Sequence, residues 1–165
     1  MSPYELRSEM LVRRSISEVF SFFEDPKNLG KLTPPWLSFR IDSEQVVMKP
    51  GAEIRYRIRL MGFPMHWKSI ISDYQPPFRF VDEQAIGPYK TWHHTHTFRP
   101  SEEGTLVGDR VQYSLPLGPL GKIGHAVMVR RQLMAIFTYR QKSLSEYFAG
   151  DTVRILDPVI TVLRP

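Results

Sequence analysis

The chain has 165 residues, of which 42% are apolar and 24% charged, with a formal net charge of +5 and no cysteine. This length fits one domain with a single core, and no run approaches the ~20 apolar residues of a membrane-spanning helix or the apolar core of a signal peptide. The dispersed arginines indicate a solvated basic surface with no nucleic-acid partner and no stable membrane insertion, and the lack of cysteine excludes disulfides and fits a cytoplasmic location.

The first part of the chain predicts one strand and two short helices. Residues 4–12 favour a strand. Ser15 and Glu18 match the capping box, in which a hydroxyl and a glutamate three residues later satisfy the first free amides of a helix. Pro26 ends this apolar helix, and residues 28–32 predict a second short helical turn.

From Trp36 onward the hydrophobic period changes to two, which indicates strands. The clearest case is the segment 53–60, where apolar and charged side chains alternate without a break. Turns rich in glycine and proline separate the segments that follow, so we predict an antiparallel meander. Its later strands cover residues 65–74, 79–86, 89–98 and 105–115.

Residues 121–148 predict one long helix, because apolar side chains recur at spacings of three, four and seven and so share one face. Arg140 and Gln141 fall between the members of this apolar stripe. A helix of this length spans ~40 Å and needs a sheet against which to bury the stripe. The stripe consists of Ile123, Val127, Met134, Phe137, Leu144 and Phe148.

Residues 151–165 follow the helix and are rich in apolar side chains. We expect this segment to cover a sheet edge, either in the same chain or in a neighbouring copy. The second arrangement predicts a homodimer. The chain therefore divides into a domain over residues 1–150 and an apolar extension over 151–165.

The predicted order is a strand, two short helices, about six strands and a long helix. A sheet this long must curl, and a helix laid in its concave side leaves a space between the two. Several short motifs accompany this order. They are Ser17-Glu18-Val19-Phe20, Asn28-Leu29, Thr33-Pro34-Pro35-Trp36, Phe80-Val81-Asp82-Glu83-Gln84, Gly87-Pro88-Tyr89, the Trp92-His94-His96-Phe98 alternation, Asp109-Arg110-Val111, Leu117-Gly118-Pro119-Leu120-Gly121 and Arg130-Arg131-Gln132-Leu133.

In this order and these motifs the chain resembles the START/Bet v 1-like superfamily, over roughly residues 3–149. Its members are also called SRPBCC or polyketide cyclase/dehydrase-like proteins, and the match is specific for a bacterial subgroup. The resemblance implies an α+β helix-grip fold, in which a curved antiparallel sheet of about seven strands surrounds the long helix. It also implies a cavity for a lipid, an isoprenoid or a polyketide-like molecule, and only some members catalyse a reaction.

The segment 92–98 carries the strongest candidate site. On a strand, Trp92, His94, His96 and Phe98 share one face, and the aromatic ends mark that face as the interior. In the next strand Asp109 lies among apolar residues on a single face. A simple hairpin places His94 opposite Asp109, whereas a slip by two residues places His96 there, and such neighbours have Cβ atoms ~5 Å apart.

Three interpretations of this cluster remain open. A His–Asp pair in a cleft acts as a general base, which would make His94, His96 and Asp109 the catalytic residues of a cyclase or dehydratase. Two histidines on a strand also begin a metal site, but no third ligand is spaced to complete it. We favour a buried polar cluster that bonds to itself or to a ligand, and so predict no metal and no cofactor.

For other polar residues near the predicted cavity, the sequence allows an orientation either towards the cavity or away from it. Glu83 shares the face of Trp92 if the turn that follows it has two residues, whereas Asp82 and Gln84 share that face if the turn is one residue longer, which the position of Phe80 favours. Arg130 points either at the cavity or at solvent. The expected lining of the cavity is Trp36, Tyr56, Trp67, Trp92, His94, His96, Asp109, Tyr113, Arg130, Met134 and Phe137.

The sequence therefore predicts a protein that binds an apolar or amphipathic small molecule between the sheet and the long helix, without catalysis. The first alternative is a cyclase or dehydratase that uses the histidine–aspartate cluster. The second is an interaction module for a partner oxidoreductase, because the resemblance extends to domains attached to NAD-dependent epimerase-like proteins.

Overall fold

A computed structural model describes residues 4–43, 45–60, 62–118, 123–124 and 128–163. Its strands are β1 (Tyr4–Val12), β2 (Arg40–Ile41), β3 (Glu53–Leu60), β4 (Phe63–Gln75), β5 (Arg79–Ile86), β6 (Thr91–Ser101), β7 (Gly104–Ser114) and β8 (Thr152–Val162). Its helices are α1 (Ile16–Glu24), α2 (Leu29–Leu32) and α3 (Arg130–Tyr147), with 3₁₀ turns at Pro26–Asn28 and Pro35–Leu37.

Within the described ranges all eight strands form one antiparallel sheet in the order β2-β3-β4-β5-β6-β7-β1-β8. The first strand therefore lies between the last two, and the strands from β2 to β7 form the predicted meander. Leu6, Met10 and Val12 of β1 are at most 2% exposed, because they face the helices across the core. The α+β helix-grip expectation is confirmed.

Helix α1 begins where the capping pattern predicted. Ser15 has extended backbone angles, and its Oγ accepts a hydrogen bond from the backbone N–H of Glu18 at 3.3 Å. Its apolar side buries Val19, Phe20 and Phe22 against the sheet. The chain then continues into α2, which contacts α3.

The buried face of α3 differs from the predicted stripe. Ile123 is 64% exposed, so its assignment to the stripe was wrong, and Val127 lies outside the described residues. Arg140 and Gln141, which the pattern placed between the apolar residues, are 6% and 2% exposed. Spacings of three and four continue through these polar residues, so the buried face is Leu133, Phe137, Arg140, Gln141, Leu144 and Phe148.

Both polar residues are buried because each has a partner. Gln141 donates a hydrogen bond from Nε2 to the carbonyl oxygen of Leu156 on β8 at 2.9 Å. Arg140 donates from Nε to Oδ2 of Asp109 at 3.0 Å. A buried polar group that forms such bonds avoids most of its desolvation cost, and so these two positions are compatible with the interior.

The apolar extension forms β8, which pairs with β1 of the same chain from Thr152 opposite Val12 to Val162 opposite Tyr4. Gly150, at φ +81°, turns the chain from α3 into this strand. The sheet therefore has eight strands rather than about seven. A homodimer through this segment stays a prediction.

The core lies between the concave face of the sheet and the helices. One cluster surrounds α1 and the end of α3, including Phe20, Phe98, Leu144 and Phe148. Another joins β1 and β7 to the first turns of α3. Among the described residues, no helix combines the length and the apolar character that crossing a bilayer requires.

Candidate functional site

A cavity of about 180 Å³ lies between the sheet and α3. An engineered apolar cavity of ~150 Å³ holds a benzene molecule, so this space is large enough for a ring-sized group. Its wall is mainly apolar, and five polar side chains converge on one part of it: Ser69, Asp82, His94, His96 and Arg140. The apolar wall includes Phe22, Phe23, Leu32, Ile54, Tyr56, Ile58, Trp67, Ile71, Phe80, Trp92, Leu133, Ile136 and Phe137.

The pairing of β6 with β7 fixes the register of the histidines. The hairpin turn is tighter than predicted: Ser101 pairs with Gly104, and this places His96, not His94, directly opposite Asp109. Gly104 has a φ of +146°, and a Cβ at this position would lie 2.2 Å from the carbonyl oxygen of Val12. Only glycine fits this turn, and the two-residue slip considered from the sequence is the arrangement observed.

The pairing of β5 with β6 decides whether Glu83 or Asp82 faces the cavity. Asp82 lies opposite His94, and Glu83 lies opposite His93 on the other face. The Gln84 side chain accepts a hydrogen bond from the backbone N–H of Tyr89 and donates one to its carbonyl oxygen, which holds the longer turn. Asp82 is therefore the acidic residue of β5 that faces the cavity.

Asp109 is the centre of one half of the polar cluster. Its Oδ1 lies 2.9 Å from Nε2 of His94, in hydrogen-bonding contact, and 3.3 Å from Nδ1 of His96. Its Oδ2 accepts a hydrogen bond from Nε of Arg140 at 3.0 Å. The Oγ of Ser8 on β1 lies 3.5 Å from the same oxygen. Asp109 thus holds both imidazole rings from behind, on the side away from Asp82.

Asp82 is the centre of the other half. Its Oδ2 lies 2.9 Å from Nε2 of His96 and 3.6 Å from Nδ1 of His94. Ser69 donates to its Oδ1 at 3.3 Å and itself accepts a hydrogen bond from Nε1 of Trp67 at 3.1 Å. The two histidines therefore lie between two carboxylates, with one nitrogen of each ring facing each carboxylate.

Aromatic contacts hold the rings in these positions. The imidazole of His96 stacks on Phe80 with ring centroids 4.2 Å apart, and His94 packs against His96 at 3.8 Å. Phe137 of α3 contacts His94 with centroids 5.6 Å apart. The guanidinium of Arg140 lies over the Phe23 ring at 5.1 Å. These contacts limit the rotamers of the charged side chains and keep the cluster ordered.

The contacts shift the pKa values of the cluster in different directions. Burial would raise the pKa of Asp109, but the charge of Arg140 and the hydrogen bonds from both histidines hold it well below its ordinary value. Burial acts likewise on the pKa of Asp82, which the hydrogen bond from His96 and the nearby charges lower. Both carboxyl groups are therefore ionised at neutral pH.

The two histidines differ from each other. Burial and the charge of His96 lower the pKa of His94 to about 4, against the opposing effect of the hydrogen bond to Asp109. Burial would also lower the pKa of His96, but its bonds to Asp109 and Asp82 outweigh this effect and raise it. His94 is therefore neutral at neutral pH, and His96 is the first of the two rings to take up a proton as the pH falls.

The residues predicted to line the cavity fall into two groups. Six of them do line it, and Asp109 lies directly behind the histidines. Trp36 does not, because its side chain is 54% exposed and packs on Tyr139 with ring centroids 5.7 Å apart. The six are Tyr56, Trp67, Trp92, His94, His96 and Phe137.

Three further predicted residues also lie away from the cavity wall. Arg130 is exposed and donates from Nη1 to the carbonyl oxygen of Ile160 at 3.4 Å, because its position on α3 faces β8. Tyr113 is fully buried and stacks on Tyr4 with ring centroids 5.4 Å apart. Met134 packs against the core cluster that contains both tyrosines.

Sequence reasoning missed Arg140, the one cation that contacts the cluster among the described residues. A signal was present, because Arg140 lies seven residues after Leu133 and three after Phe137. An arginine on an apolar face indicates a buried anion near it. Ser69 was also missed, and alternation along β4 with Trp67 and Ile71 would have placed it on the cavity face.

A curved antiparallel sheet that closes around a long helix, with a mainly apolar cavity between them, defines the helix-grip class of domain. The chain belongs to the polyketide cyclase / dehydrase and lipid transport family, whose model matches residues 12–137. No curated protein matches the chain.

Solved structures show the same fold. Protein TTHA0849 from Thermus thermophilus is 24% identical, with a TM-score of 0.62 over 88% of this chain and 97% of that one. A START superfamily protein from Mycobacterium smegmatis is 12% identical, with a TM-score of 0.65 over 88% and 97%. The di-domain ARO/CYC protein StfQ of the steffimycin biosynthetic pathway is 15% identical, with a TM-score of 0.66 over 90% of this chain and 53% of that one. Family and fold fit a role in binding hydrophobic ligands.

Proposed function

We propose that the protein binds an apolar or amphipathic small molecule, of the lipid, isoprenoid or polyketide-like class, in the cavity between the sheet and α3. The observation that carries this proposal is the cavity itself: an apolar wall with polar side chains gathered at one place. Such a wall stabilises the hydrocarbon part of a ligand, and the few polar groups fix its orientation. The family description, which includes lipid transport, supports the same class of ligand.

The charges of the cluster favour a ligand whose polar end is a neutral hydroxyl or carbonyl group. The carboxylates of Asp82 and Asp109 offset the charge of Arg140 whether or not His96 is protonated. The cluster therefore has no net positive charge and gives little electrostatic preference to an anionic head group. Ser69 and His94 provide short-range hydrogen-bonding groups at the cavity wall.

The test uses prodan, an uncharged naphthalene with a polar carbonyl group, whose fluorescence shifts to the blue in apolar surroundings. The wild-type protein is expected to bind it saturably. Ile136→Trp fills the cavity and is expected to weaken binding at least about tenfold. Ala135→Trp is the matched control, because Ala135 is the exposed neighbour on α3, and it is expected to leave binding unchanged. Equal binding by all three proteins would contradict the proposal, and native mass spectrometry of the unheated protein would identify a retained ligand.

A second candidate function is acid–base catalysis of a cyclase or dehydratase type. The observation that favours it is a pair of adjacent histidines in a cavity wall with a buried carboxylate behind both, in which the pKa of His94 is lowered and that of His96 is raised. Such a pair offers a proton acceptor, His94, and a proton donor, His96. Release of water from a β-hydroxy ketone, followed by mass spectrometry, tests it. His94→Gln is expected to abolish turnover and His93→Gln to preserve it.

A further inference from the structure

Asp82, His94 and His96 present three metal-ligating atoms to one point at the cavity wall. These atoms, one from each residue, lie within 4.8 Å of one another. Asp82 Oδ2 faces both Nε2 of His96, at 2.9 Å, and Nδ1 of His94, at 3.6 Å. Asp82 supplies the third ligand that spacing along a single strand did not reveal, because it comes from the neighbouring strand β5.

Two of the three separations, those from Asp82 Oδ2 to each histidine, match distances within a metal coordination shell, and the third is at most 4.8 Å. Ligand atoms ~2.1 Å from an ion are ~3.0 Å apart in octahedral geometry and ~3.4 Å apart in tetrahedral geometry. The observed values of 2.9 and 3.6 Å fall close to these edges. The strands that carry the ligands, β5 and β6, are internal to the sheet, which fixes the backbone positions of all three residues.

Asp109 and Arg140 occupy the positions of supporting groups. A metal-bound histidine usually donates its other ring N–H to a carboxylate, which fixes the tautomer and the orientation of the ring. Asp109 Oδ1 lies within 3.3 Å of the second nitrogen of both rings, Nε2 of His94 and Nδ1 of His96, and Arg140 Nη2 also lies 3.2 Å from that Nδ1. Metal binding requires a proton on both of these nitrogens, so that the nitrogens facing Asp82 carry lone pairs and His96 Nδ1 donates to Asp109 instead of accepting from Arg140. Arg140 in turn holds the other oxygen of Asp109.

The two carboxylates of the cluster also favour a cation at this point. With both imidazoles neutral, Asp82 and Asp109 contribute two negative charges and Arg140 one positive charge. In addition, the lone pair of His94 Nδ1 faces a carboxylate oxygen 3.6 Å away, an arrangement that is unfavourable unless something positive lies between them. A metal ion bound between these atoms removes this repulsion.

We propose that Asp82, His94 and His96 bind a divalent transition-metal ion of the Zn²⁺ or Fe²⁺ class, with Asp109 as the positioning residue for both imidazoles. Two imidazole nitrogens and one carboxylate oxygen exclude Mg²⁺ and Ca²⁺ as preferred ions, since both prefer oxygen ligands. The remaining coordination positions face the cavity, where an oxygen atom of a small molecule would reach the ion. This site requires no organic ligand, so the metal-binding proposal can be tested independently of the proposed small-molecule binding.

The experiment titrates chelator-treated protein with Co²⁺, followed by visible absorption, and with Zn²⁺, followed by calorimetry. The wild-type chain is expected to bind one ion. Asp82→Ala, His94→Ala and His96→Ala each remove one ligand, and each is expected to weaken affinity by at least about 100-fold. Asp109→Asn is expected to weaken it about 10- to 100-fold, the usual effect of removing a supporting partner.

His93→Ala is the matched control, because His93 adjoins His94 on the same strand and faces the other side of the sheet. It is expected to leave both stoichiometry and affinity unchanged. If the wild-type protein binds no ion saturably, or if His93→Ala loses as much affinity as His94→Ala, the proposal is wrong.

A second measurement covers the case in which the ligand variants do not fold. X-ray absorption of the Zn²⁺-loaded wild-type protein counts the imidazole ligands directly and needs no variant. Two imidazoles with additional oxygen ligands are expected. A shell with one imidazole or none would overturn the proposal, and prodan binding by the same sample would show that the cavity itself is intact.

Discussion

Two carboxylates are buried on opposite faces of the β1–β7 pair, and their surroundings differ. Glu5, on the convex face, is 2% exposed and accepts hydrogen bonds from Arg110 and Gln112 at 2.8 and 3.2 Å. The side chains of Arg7 and Arg110, which cover it, are 57% and 49% exposed. Asp109, on the concave face, is 7% exposed, and its cation, Arg140, is 6% exposed.

The comparison separates two ways of burying a charge. Glu5 lies beneath long side chains whose charged ends reach water, so its environment adjusts easily when one of them is lost. Asp109 shares a space closed by α3, so we expect that water does not replace a missing partner there. The convex arrangement is sufficient for stability. The concave arrangement also holds two imidazole rings at a cavity wall, and that geometry is what we connect with function.

The largest effect is expected for Arg140→Met. This change leaves Asp109 buried without its cation, which typically costs about 3–5 kcal/mol of unfolding free energy. Urea unfolding measures the loss. A cost below ~1 kcal/mol would show that water reaches Asp109 and would remove the contrast with Glu5.

The next largest loss of unfolding free energy is expected for a change in the apolar wall beside the polar cluster of the concave face. Phe137→Ala is expected to cost about 3 kcal/mol, the lower end of the range for such changes, because the ring already borders the cavity and has fewer partners on that side. Thr138→Ala, at the exposed neighbouring position of α3, is the control in the same urea unfolding experiment and is expected to change stability by less than ~0.5 kcal/mol. Equal costs would place Phe137 at the surface.

The two histidines are expected to titrate on opposite sides of the ordinary pKa of 6.5 in metal-free protein, His94 at about 4 and His96 above 6.5. As pH falls from 6.5 towards 4, the unfolded chain binds a proton at His94 that the folded chain does not, so His94 lowers stability there. His96 acts in the opposite sense: its contribution is complete below 6.5 and is lost as pH rises through its folded pKa.

Histidine-resolved NMR reads both titrations. Asp109→Asn is expected to lower the pKa of His96, because the carboxylate that favours the charged ring becomes neutral, and each pKa unit corresponds to ~1.4 kcal/mol. Unchanged titration of both histidines in this variant would contradict the assignment of Asp109 as their shared partner.

The smallest effect is expected on the convex face. Arg110→Met removes one of the partners of Glu5 but leaves Arg7 and Gln112 in place. A partly exposed ion pair of this kind contributes less than ~1 kcal/mol, and salt reduces the contribution further. Urea unfolding at low and at high salt measures both the size of this contribution and its reduction by salt. A loss as large as that of Arg140→Met would show that burial of the carboxylate, rather than exposure of its cation, decides the cost.

Much of the fold could be predicted from periodicity. Residues 4–12 and the interior face of His94 and His96 follow from alternation alone, and Ser15 marks the start of α1. The register of the β6–β7 hairpin could not be fixed, because it depends on the length of the turn at Gly104, which a pattern of apolar residues does not encode.

The candidate site was predicted less completely for a different reason. Hydrophobic patterns assign polar residues to the surface, so Arg140 was read as a gap in the helical stripe. Its burial depends on Asp109, a partner 31 residues earlier on another element. The same limit applies to Asp82, whose place beside the histidines depends on the pairing of two strands. Partnerships between distant polar residues are properties of the assembled structure.

The position of β1 between β7 and β8 has a consequence for the order in which the protein folds. A ribosome makes β1 first, but Tyr4 pairs with Tyr113 and Val12 with Thr152, so both neighbours emerge roughly 100 residues or more later. Strand β1 therefore stays unpaired, with its apolar side chains exposed, while the meander from β2 to β7 is synthesised. Pairings this distant along the chain are slow to form. Folding in the cell thus finishes only after residue 162 has left the ribosome, and chaperone binding to the nascent chain would act during that interval.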